Sequence, residues 1–350
     1  GYEPRGVAAV IAPWNFPLAI SAGMCAAALV TGNTVVYKPS GFTAVIGHLL
    51  LELFQAARLP AGDFNYLPGR GSVIGDRLVD SPRVSLIAFT GSLETGTRIL
   101  ERAARVQPGQ AHVKRVICEM GGKNAVIVDD DADLDEAVPA VLASAFGYQG
   151  QKCSACSRVI VLEAAYDRFV GRLVEAARSW RVGPAEDPNN AMGPVIDASA
   201  RKRIQEYVEI AKREGRLLHE SAVPAGRGYY VPLTIVEGIR PEHRVAQEEV
   251  FGPLLAVMRA GDFDQALAWA AATRFALTGG VFSRSPRRLA QARREFRVGN
   301  LYLNRGITGA LVGRQPFGGS RLSGAGTQAG GPDYLLHFLD PRTVTENTLR

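Results

Sequence analysis

Cys153 sits in Gly150-Gln151-Lys152-Cys153-Ser154-Ala155-Cys156-Ser157, between a stretch of helical periodicity and a β-branched run. A cysteine placed there can do three kinds of chemistry. With Cys156 it makes a C-x-x-C pair, which fits a redox dithiol or one half of a zinc site. Zinc needs two further ligands, yet Cys25 and Cys118 lie in apolar helix and strand patterns, and the five histidines show no ligand spacing. A polar, glycine-flanked thiol beside a lysine suits a nucleophile better, because the thiolate is the attacking form. Cys25 and Cys118 read as packed core residues.

Three other positions could serve such a nucleophile. Glu119 follows an apolar run and precedes Met120-Gly121-Gly122-Lys123, a strand end well placed to face a cleft and to act as a base; taken alone, it is more often a solvated turn residue. Asn15, in Pro13-Trp14-Asn15-Phe16-Pro17, carries an amide able to hold an oxyanion, although an isolated Asn in such a segment is more often a turn residue. Phe89-Thr90-Gly91-Ser92 follows an apolar strand and opens a helix, so it offers either an anion site at the helix start or a plain N-cap by Ser92. The glycine-rich turn around Gly69 and Gly71 lacks the standard nucleotide-loop spacing and is the weakest of these signals.

What must position these groups is an alternating series of strands and helices. Strands are predicted over 6–11, 34–37, 85–89, 113–118 and 125–128, with helical periodicity over 20–31, 44–57, 72–79 and 93–105 between them. A second series follows Asp131, with helices near 134–146, 165–180, 200–214, 263–272 and 286–296 and strands near 158–162, 254–258, 279–282 and 300–303. Such alternation gives a parallel sheet covered by helices, an α/β fold. The change of domain falls near Gly121-Gly122, where the periodic pattern stops.

Composition narrows the class. With 350 residues, 47% hydrophobic and 21% charged, the chain has enough apolar surface for two cores and too much for a solvated coil. No run approaches the roughly 20 apolar residues of a membrane span. The net charge of +6 is scattered; Arg287-Arg288 and Arg293-Arg294 sit at helical spacing on what reads as a solvated face, so no nucleic-acid partner is expected. Four cysteines do not make a disulfide framework, which points to a reducing compartment such as the cytoplasm or a mitochondrial matrix.

Taken in order, PWNFP at 13–17, KPS at 38–40, FTGS at 89–92, EMGGK at 119–123, GQKCSACSR at 150–158 and EEVFGP at 248–253 resemble the aldehyde dehydrogenase superfamily, and the resemblance covers essentially the whole chain. The thirty-four positions from Glu119 to Cys153 match the family's spacing. GYQGQKCSACSR at 147–158, NRGITGALVGRQPFGGSRLSGAG at 304–326 and GGPDYLLHFLDPRTVTEN at 330–347 look like the branch that oxidises L-glutamate γ-semialdehyde, the open form of 1-pyrroline-5-carboxylate, in proline catabolism.

The resemblance implies a Rossmann-type cofactor domain over 1–121, an α/β catalytic domain over 122–318, and a return segment over 319–350 ending in an oligomerisation strand near 342–347. It implies Cys153 as nucleophile, Glu119 as base and the Asn15 amide as oxyanion donor, with no metal. NAD is expected to bind through Lys38, Ser40, Gly71, Phe89, Thr90, Gly91, Ser92, Glu249 and Phe251. The small-molecule substrate is expected against Phe16, Ser154, Gly309, Ala310 and Phe317.

Departures from the family pattern set further expectations. The family's usual N-terminal segment, with its oligomerisation hairpin, does not precede Gly1, so a homo-oligomer is put in doubt and a poorly soluble or weakly active chain is expected. Gly41-Phe42-Thr43 stands where NAD-preferring members carry a glutamate, which makes NADP use plausible. Met120 replaces a commoner leucine, a volume-conserving exchange. The competing readings are another semialdehyde dehydrogenase, an inactive fragment of one, and a cofactor-free cysteine hydrolase; the last leaves FTGS and EEVFGP without purpose.

Overall fold

The computed structural model describes residues 1–348. The chain divides into two compact units. One comprises Gly1–Met120, Ala310–Gly318 and the chain from Gly324 onward; the other comprises Gly121–Gly309 and Gly319–Ser323. The run expected over 122–318 is therefore interrupted, since 310–318 cluster with the first unit.

The first unit is built on β1 (Tyr2–Pro4), β2 (Val7–Ile11), β3 (Thr34–Lys38), β4 (Phe64–Tyr66), β5 (Val84–Thr90) and β6 (Arg115–Glu119), with helices α1 (Ala19–Val30), α2 (Ala44–Ala56), α3 (Asp76–Asp80) and α4 (Leu93–Ala103). The chain runs from β2 outward to β3 and β4, then crosses back to add β5 and β6 on the other side, giving the order β6-β5-β2-β3-β4 with these neighbours parallel. That is the doubly wound dinucleotide-binding order, whose crevice opens at the carboxyl ends where the direction reverses, here β2 and β5.

Both faces of this sheet are covered, which is why its strands read as unbroken apolar runs. Ala8, Val10, Val35, Leu86 and Ala88 pack with Met24, Cys25 and Ala28 of α1 and Leu50 of α2. Ala9, Ile11, Ile87 and Phe89 pack on the opposite side with Leu78 and Val79 of α3 and Ile99 and Ala103 of α4. The end of the chain returns to this unit. Gly324–Ala325 pairs antiparallel with β6, and Leu339–Pro341 pairs antiparallel with β1.

The second unit contains β7 (Asn124–Val128), β8 (Cys156–Leu162), β9 (Arg216–Glu220), β10 (Thr234–Glu237), β11 (Leu254–Ala260), β12 (Phe275–Ala276), β13 (Thr278–Phe282) and β14 (Asn300–Leu303). Its seven-stranded sheet has the order β14-β13-β7-β8-β11-β10-β9, parallel except at β9. Helices α5 (Leu134–Phe146) and α6 (Glu163–Arg178) cover one face; α7 (Ala198–Glu214), α9 (Phe263–Ala271) and α10 (Pro286–Glu295) cover the other, and α8 (Arg244–Gln247) is a single turn. Alternate residues of β7 and β8 point into the two cores: Val126, Val128, Val159 and Val161 one way, Ile127 and Ile160 the other.

Two expectations are corrected. The helix expected over 72–79 splits into a wide turn, Gly71–Gly75, followed by the short α3. The strand begins at Arg115 and leaves Val113 exposed. Within the chain, the described residues after Pro341 form no strand; the strand just before them, Leu339–Pro341, has its backbone partners in β1. Among the described residues, no helix is long and apolar enough to cross a membrane.

Candidate active site

In the first unit, the expected site residues gather at the carboxyl ends of the parallel strands. Asn15 follows β2 and is buried, with Phe16 next to it more exposed. Lys38 ends β3, is buried, and donates from Nζ to the Pro39 carbonyl at 2.8 Å; burial holds its ammonium below the usual lysine range. Ser40 accepts from the Phe42 N–H at 3.4 Å and caps the short turn Gly41–Thr43. Gly71 opens the wide turn before α3.

Phe89 and Thr90 close β5, and Ser92 is the N-cap of α4. The Ser92 hydroxyl oxygen accepts from the Thr95 N–H at 3.3 Å, so the N-cap is real. It leaves the remaining N–H groups of the first turn, and the positive end of the helix dipole, free to face an anion. Gly91 and Gly96 are glycine for a packing reason: a Cβ on Gly91 would meet the Phe89 ring at 2.5 Å, and one on Gly96 would meet the Met120 sulfur at 2.5 Å.

Glu119 is the last residue of β6, held between Thr90 of β5 and Gly324. Its backbone is fixed by the Gly91 N–H, which donates to its carbonyl at 3.0 Å. Its carboxyl receives a hydrogen bond from the Ala329 backbone, whereas Oε1 is sealed from solvent without a partner. Burial outweighs that hydrogen bond and raises its pKa to about 7. A carboxyl in this setting can take and return a proton near neutral pH. Phe317 and Ala329 exchange backbone hydrogen bonds at 2.9 and 2.7 Å, which anchors the Phe317 segment behind Glu119.

In the second unit, the sequence Gly121-Gly122-Lys123-Asn124 meets the nucleophile loop. The Gly122 N–H donates to Glu249 Oε1 at 2.8 Å, and a Cβ on Gly121 would collide with the same carboxylate. A Cβ on Gly122 would lie 2.7 Å from both the Cys153 carbonyl and Asn124 Oδ1. The paired glycines thus let Glu249 and the cysteine loop approach the backbone. Burial raises the Glu249 pKa, opposed by the Gly122 N–H and by Lys123. Phe251, two residues on, adopts a left-handed backbone (φ 55°).

Cys153 is partly buried, just after a tight segment in which Tyr148, Gln149 and Gly150 all have left-handed φ (59°, 57° and 65°). A Cβ on Gly150 would lie 2.5 Å from the Gly252 carbonyl, so this turn admits no other residue without displacement. Ser154 is buried. Cys156, by contrast, belongs to β8: its Sγ donates to the Arg158 carbonyl, and burial pushes its thiol pKa to about 12. That answers the C-x-x-C question, because the second thiol belongs to the core. Among the described residues, only Asp129, Asp130 and Asp131 bring three potential metal-ligand groups together, and no cysteine joins them. Gly309 has φ +82° and, with Ala310, lies in the loop after β14.

Three polar groups of this unit were not singled out in the sequence. Arg158 is fully buried, and its guanidinium donates to the carbonyls of Lys123, Trp269 and Ala270. Asn124 and Thr278 brace the cysteine loop. The available signal was a polar residue near the start of each of three largely apolar strands: CSRVIVL, NAVIV and TGGVF.

A doubly wound sheet with a carboxylate at one strand end, and a second α/β unit carrying a glycine-flanked cysteine loop, define the class. Residues 1–344 match the aldehyde dehydrogenase family, and the chain belongs to it. A 1-pyrroline-5-carboxylate dehydrogenase of Geobacillus sp. (strain WCH70) is 52% identical over 99% of this chain and 67% of the relative. A 1-pyrroline-5-carboxylate dehydrogenase 2 of Bacillus subtilis (strain 168) is 48% identical over the same shares. Among solved structures, a Thermus 1-pyrroline-5-carboxylate dehydrogenase with bound NAD superposes with a TM-score of 0.95 at 48% identity, covering 97% of this chain and 66% of that one. Proline utilization A from Bdellovibrio bacteriovorus superposes with a TM-score of 0.98 at 56% identity, covering all of this chain and 36% of that one. The chain thus spans about two thirds of the length of its curated relatives.

Proposed function

We propose that this chain carries the NAD-dependent oxidation of L-glutamate γ-semialdehyde to L-glutamate. The observation that carries the reaction type is Glu119: a strand-end carboxyl with one oxygen buried and unpartnered, and with its pKa raised to about 7. The substrate rests on the relatives named 1-pyrroline-5-carboxylate dehydrogenase.

The Cys153 sulfur attacks the aldehyde carbon and forms a thiohemiacetal. By the family resemblance, the Asn15 amide and the Cys153 backbone N–H are assigned to the resulting oxyanion; loss of one such donor costs about 3–4 kcal/mol of barrier. When bound, NAD supplies the hydride acceptor, and departure of the hydride leaves a thioester on Cys153. Glu119 then takes a proton from water, which attacks the thioester carbonyl and releases the acid with the thiol restored. By the family resemblance, substrate binding is assigned to Phe16, Ser154, Gly309, Ala310 and Phe317, with Ser154 and the loop amides at its amino-acid end.

The residues fit the dinucleotide. In the first unit, the strand order, the Ser92-capped helix start and buried Lys38 are the features that would hold its pyrophosphate and adenosine ribose; Glu249 is assigned to the other ribose by the family resemblance alone. The remaining strand-end residues Ser40, Gly71, Phe89, Thr90 and Gly91, with Phe251, complete that set. The absence of a carboxylate at Gly41–Thr43 leaves NADP as an alternative. Only four cysteines in 350 residues agree with a reducing compartment such as the cytoplasm. The test is a panel of aldehydes with NAD: reduction with 1-pyrroline-5-carboxylate supports the reading, and reduction only with other aldehydes refutes the substrate.

A further inference from the structure

We propose that Asn124 is a positioning residue for the nucleophile: with Thr278 it grips three consecutive carbonyls of the cysteine loop and so fixes the backbone from which the Cys153 side chain projects. The proposal rests on Cys153 being the nucleophile. Asn124 heads β7 and is 3% exposed; Thr278 heads β13 and is 1% exposed. Asn124 Nδ2 donates to the Cys153 carbonyl at 2.7 Å and to the Ala155 carbonyl at 2.9 Å. Between them, the Ser154 carbonyl accepts from Thr278 Oγ1 at 3.3 Å. Asn124 Oδ1 accepts from the Thr278 N–H at 3.0 Å, which ties the two braces together.

The chemistry of these partners fixes the amide's orientation. One end faces only carbonyl acceptors and the other only an N–H donor, so Asn has a single satisfied placement. The brace also stands where the sheet itself fails. The β7–β8 register slips between Asn124 and Ala125, so that Asn124 opposes Cys156 and Ala125 opposes Arg158. Ser157, between the two, donates through its hydroxyl to the Asn124 carbonyl at 3.3 Å. Without the side chains of Asn124 and Thr278, the loop carbonyls would be left at a break in the ladder, and buried unpaired carbonyls are costly.

The consequence for chemistry follows from peptide planarity. With the Cys153 carbonyl turned toward Asn124, the Ser154 N–H of the same trans peptide points the opposite way and the Cys153 Cα is held in that plane, which leaves only the soft φ and ψ of Cys153 to aim its side chain. The Ala155 N–H is occupied by the Lys152 carbonyl at 3.0 Å, so the loop has little freedom to re-orient. A displacement of about 1 Å in a reacting group can reduce rate about 100-fold, which is the scale at stake.

The test compares wild type with Asn124→Ala, Asn124→Asp and Thr278→Val. The readouts are the melting temperature, the rate at which iodoacetamide alkylates Cys153 (followed by peptide mass spectrometry), and kcat and KM for aldehyde and NAD per alkylatable thiol. Asn124→Ala is expected to change the alkylation rate at least fivefold and to lower kcat about 10- to 100-fold, with KM for NAD within twofold. Asn124→Asp, which when protonated in its buried site keeps one donor and one acceptor, should recover to within about fivefold of wild type. Thr278→Val keeps its backbone N–H and should lose about three- to tenfold in kcat; it decides the matter if the Ala variant does not fold. An Ala variant with alkylation and kcat per thiol within twofold of wild type overturns the proposal, as does a loss explained wholly by fewer native thiols. Alkylation needs no aldehyde turnover, so a changed rate in a protein that does not oxidise this aldehyde upholds the brace and refutes the substrate.

Discussion

Replacing Glu119 with glutamine should stabilise the fold increasingly as pH rises. In the folded protein the carboxyl is sealed among the Phe317 and Ala329 segments, with its pKa at about 7 rather than 4.5. A raised carboxyl pKa means that the folded state holds its proton more tightly than the unfolded state. The unfolded chain therefore binds fewer protons between the two values, and stability falls as pH climbs through that window. The displacement from 4.5 to about 7 corresponds to about 3 kcal/mol, at about 1.4 kcal/mol per pH unit. The glutamine side chain cannot ionise and keeps an acceptor for the Ala329 N–H, so the variant lacks this loss. Urea unfolding of both proteins at pH 4, 6 and 8 reads the difference. It should be constant below about pH 4.5 and then shift in favour of the Glu119→Gln variant by up to about 3 kcal/mol by pH 8. A difference that stays the same across this range refutes the claim that Glu119 is held as a high-pKa buried acid.

The other expectations concern turnover and backbone. As a base, Glu119 should give kcat a limb that rises with pH to a midpoint of about 7, and Glu119→Gln should remove that limb while sparing alkylation of Cys153; a wild-type profile flat from pH 5.5 to 8 contradicts it. Gly122→Ala puts a Cβ 2.7 Å from the Cys153 carbonyl and should destabilise by about 1–3 kcal/mol and depress kcat; an unchanged melting temperature and kcat would show that the loop yields freely. Gly41→Glu places a carboxylate where a Cβ meets nothing within 4 Å, and should lower kcat/KM for NADP at least tenfold relative to NAD; an unchanged ratio shows that the 2′-position lies elsewhere.

The sequence carried the strand–helix alternation well, because both sheets are buried on two faces and their strands are near-continuous apolar runs. What it hid was less regular. β9, RLLHE, is a partly exposed antiparallel edge with mixed charge and no clean alternation. The pairing of Tyr2–Pro4 with Leu339–Pro341 joins the two ends of the described chain, and no local pattern signals so distant a partner. At the site, residue type and flanking glycines marked Cys153 as a candidate nucleophile, whereas Glu119 taken alone read as a solvated turn residue and became a candidate base only through the family resemblance. The burial of Cys156 was not legible, since it depends on which way the strand turns that thiol. Asn124, Thr278 and Arg158 were missed because each lies near the start of a largely apolar strand, and only the three-dimensional neighbours reveal that each holds loop carbonyls.

The central claim is a Cys153-dependent, NAD-linked oxidation, and NADH formation from 1-pyrroline-5-carboxylate by wild type and Cys153→Ala tests it most directly. Wild type should form NADH and glutamate in equal amounts, and the folded Ala variant should form neither. NADH from the Ala variant at a rate comparable to wild type, or glutamate without NADH, would contradict the account.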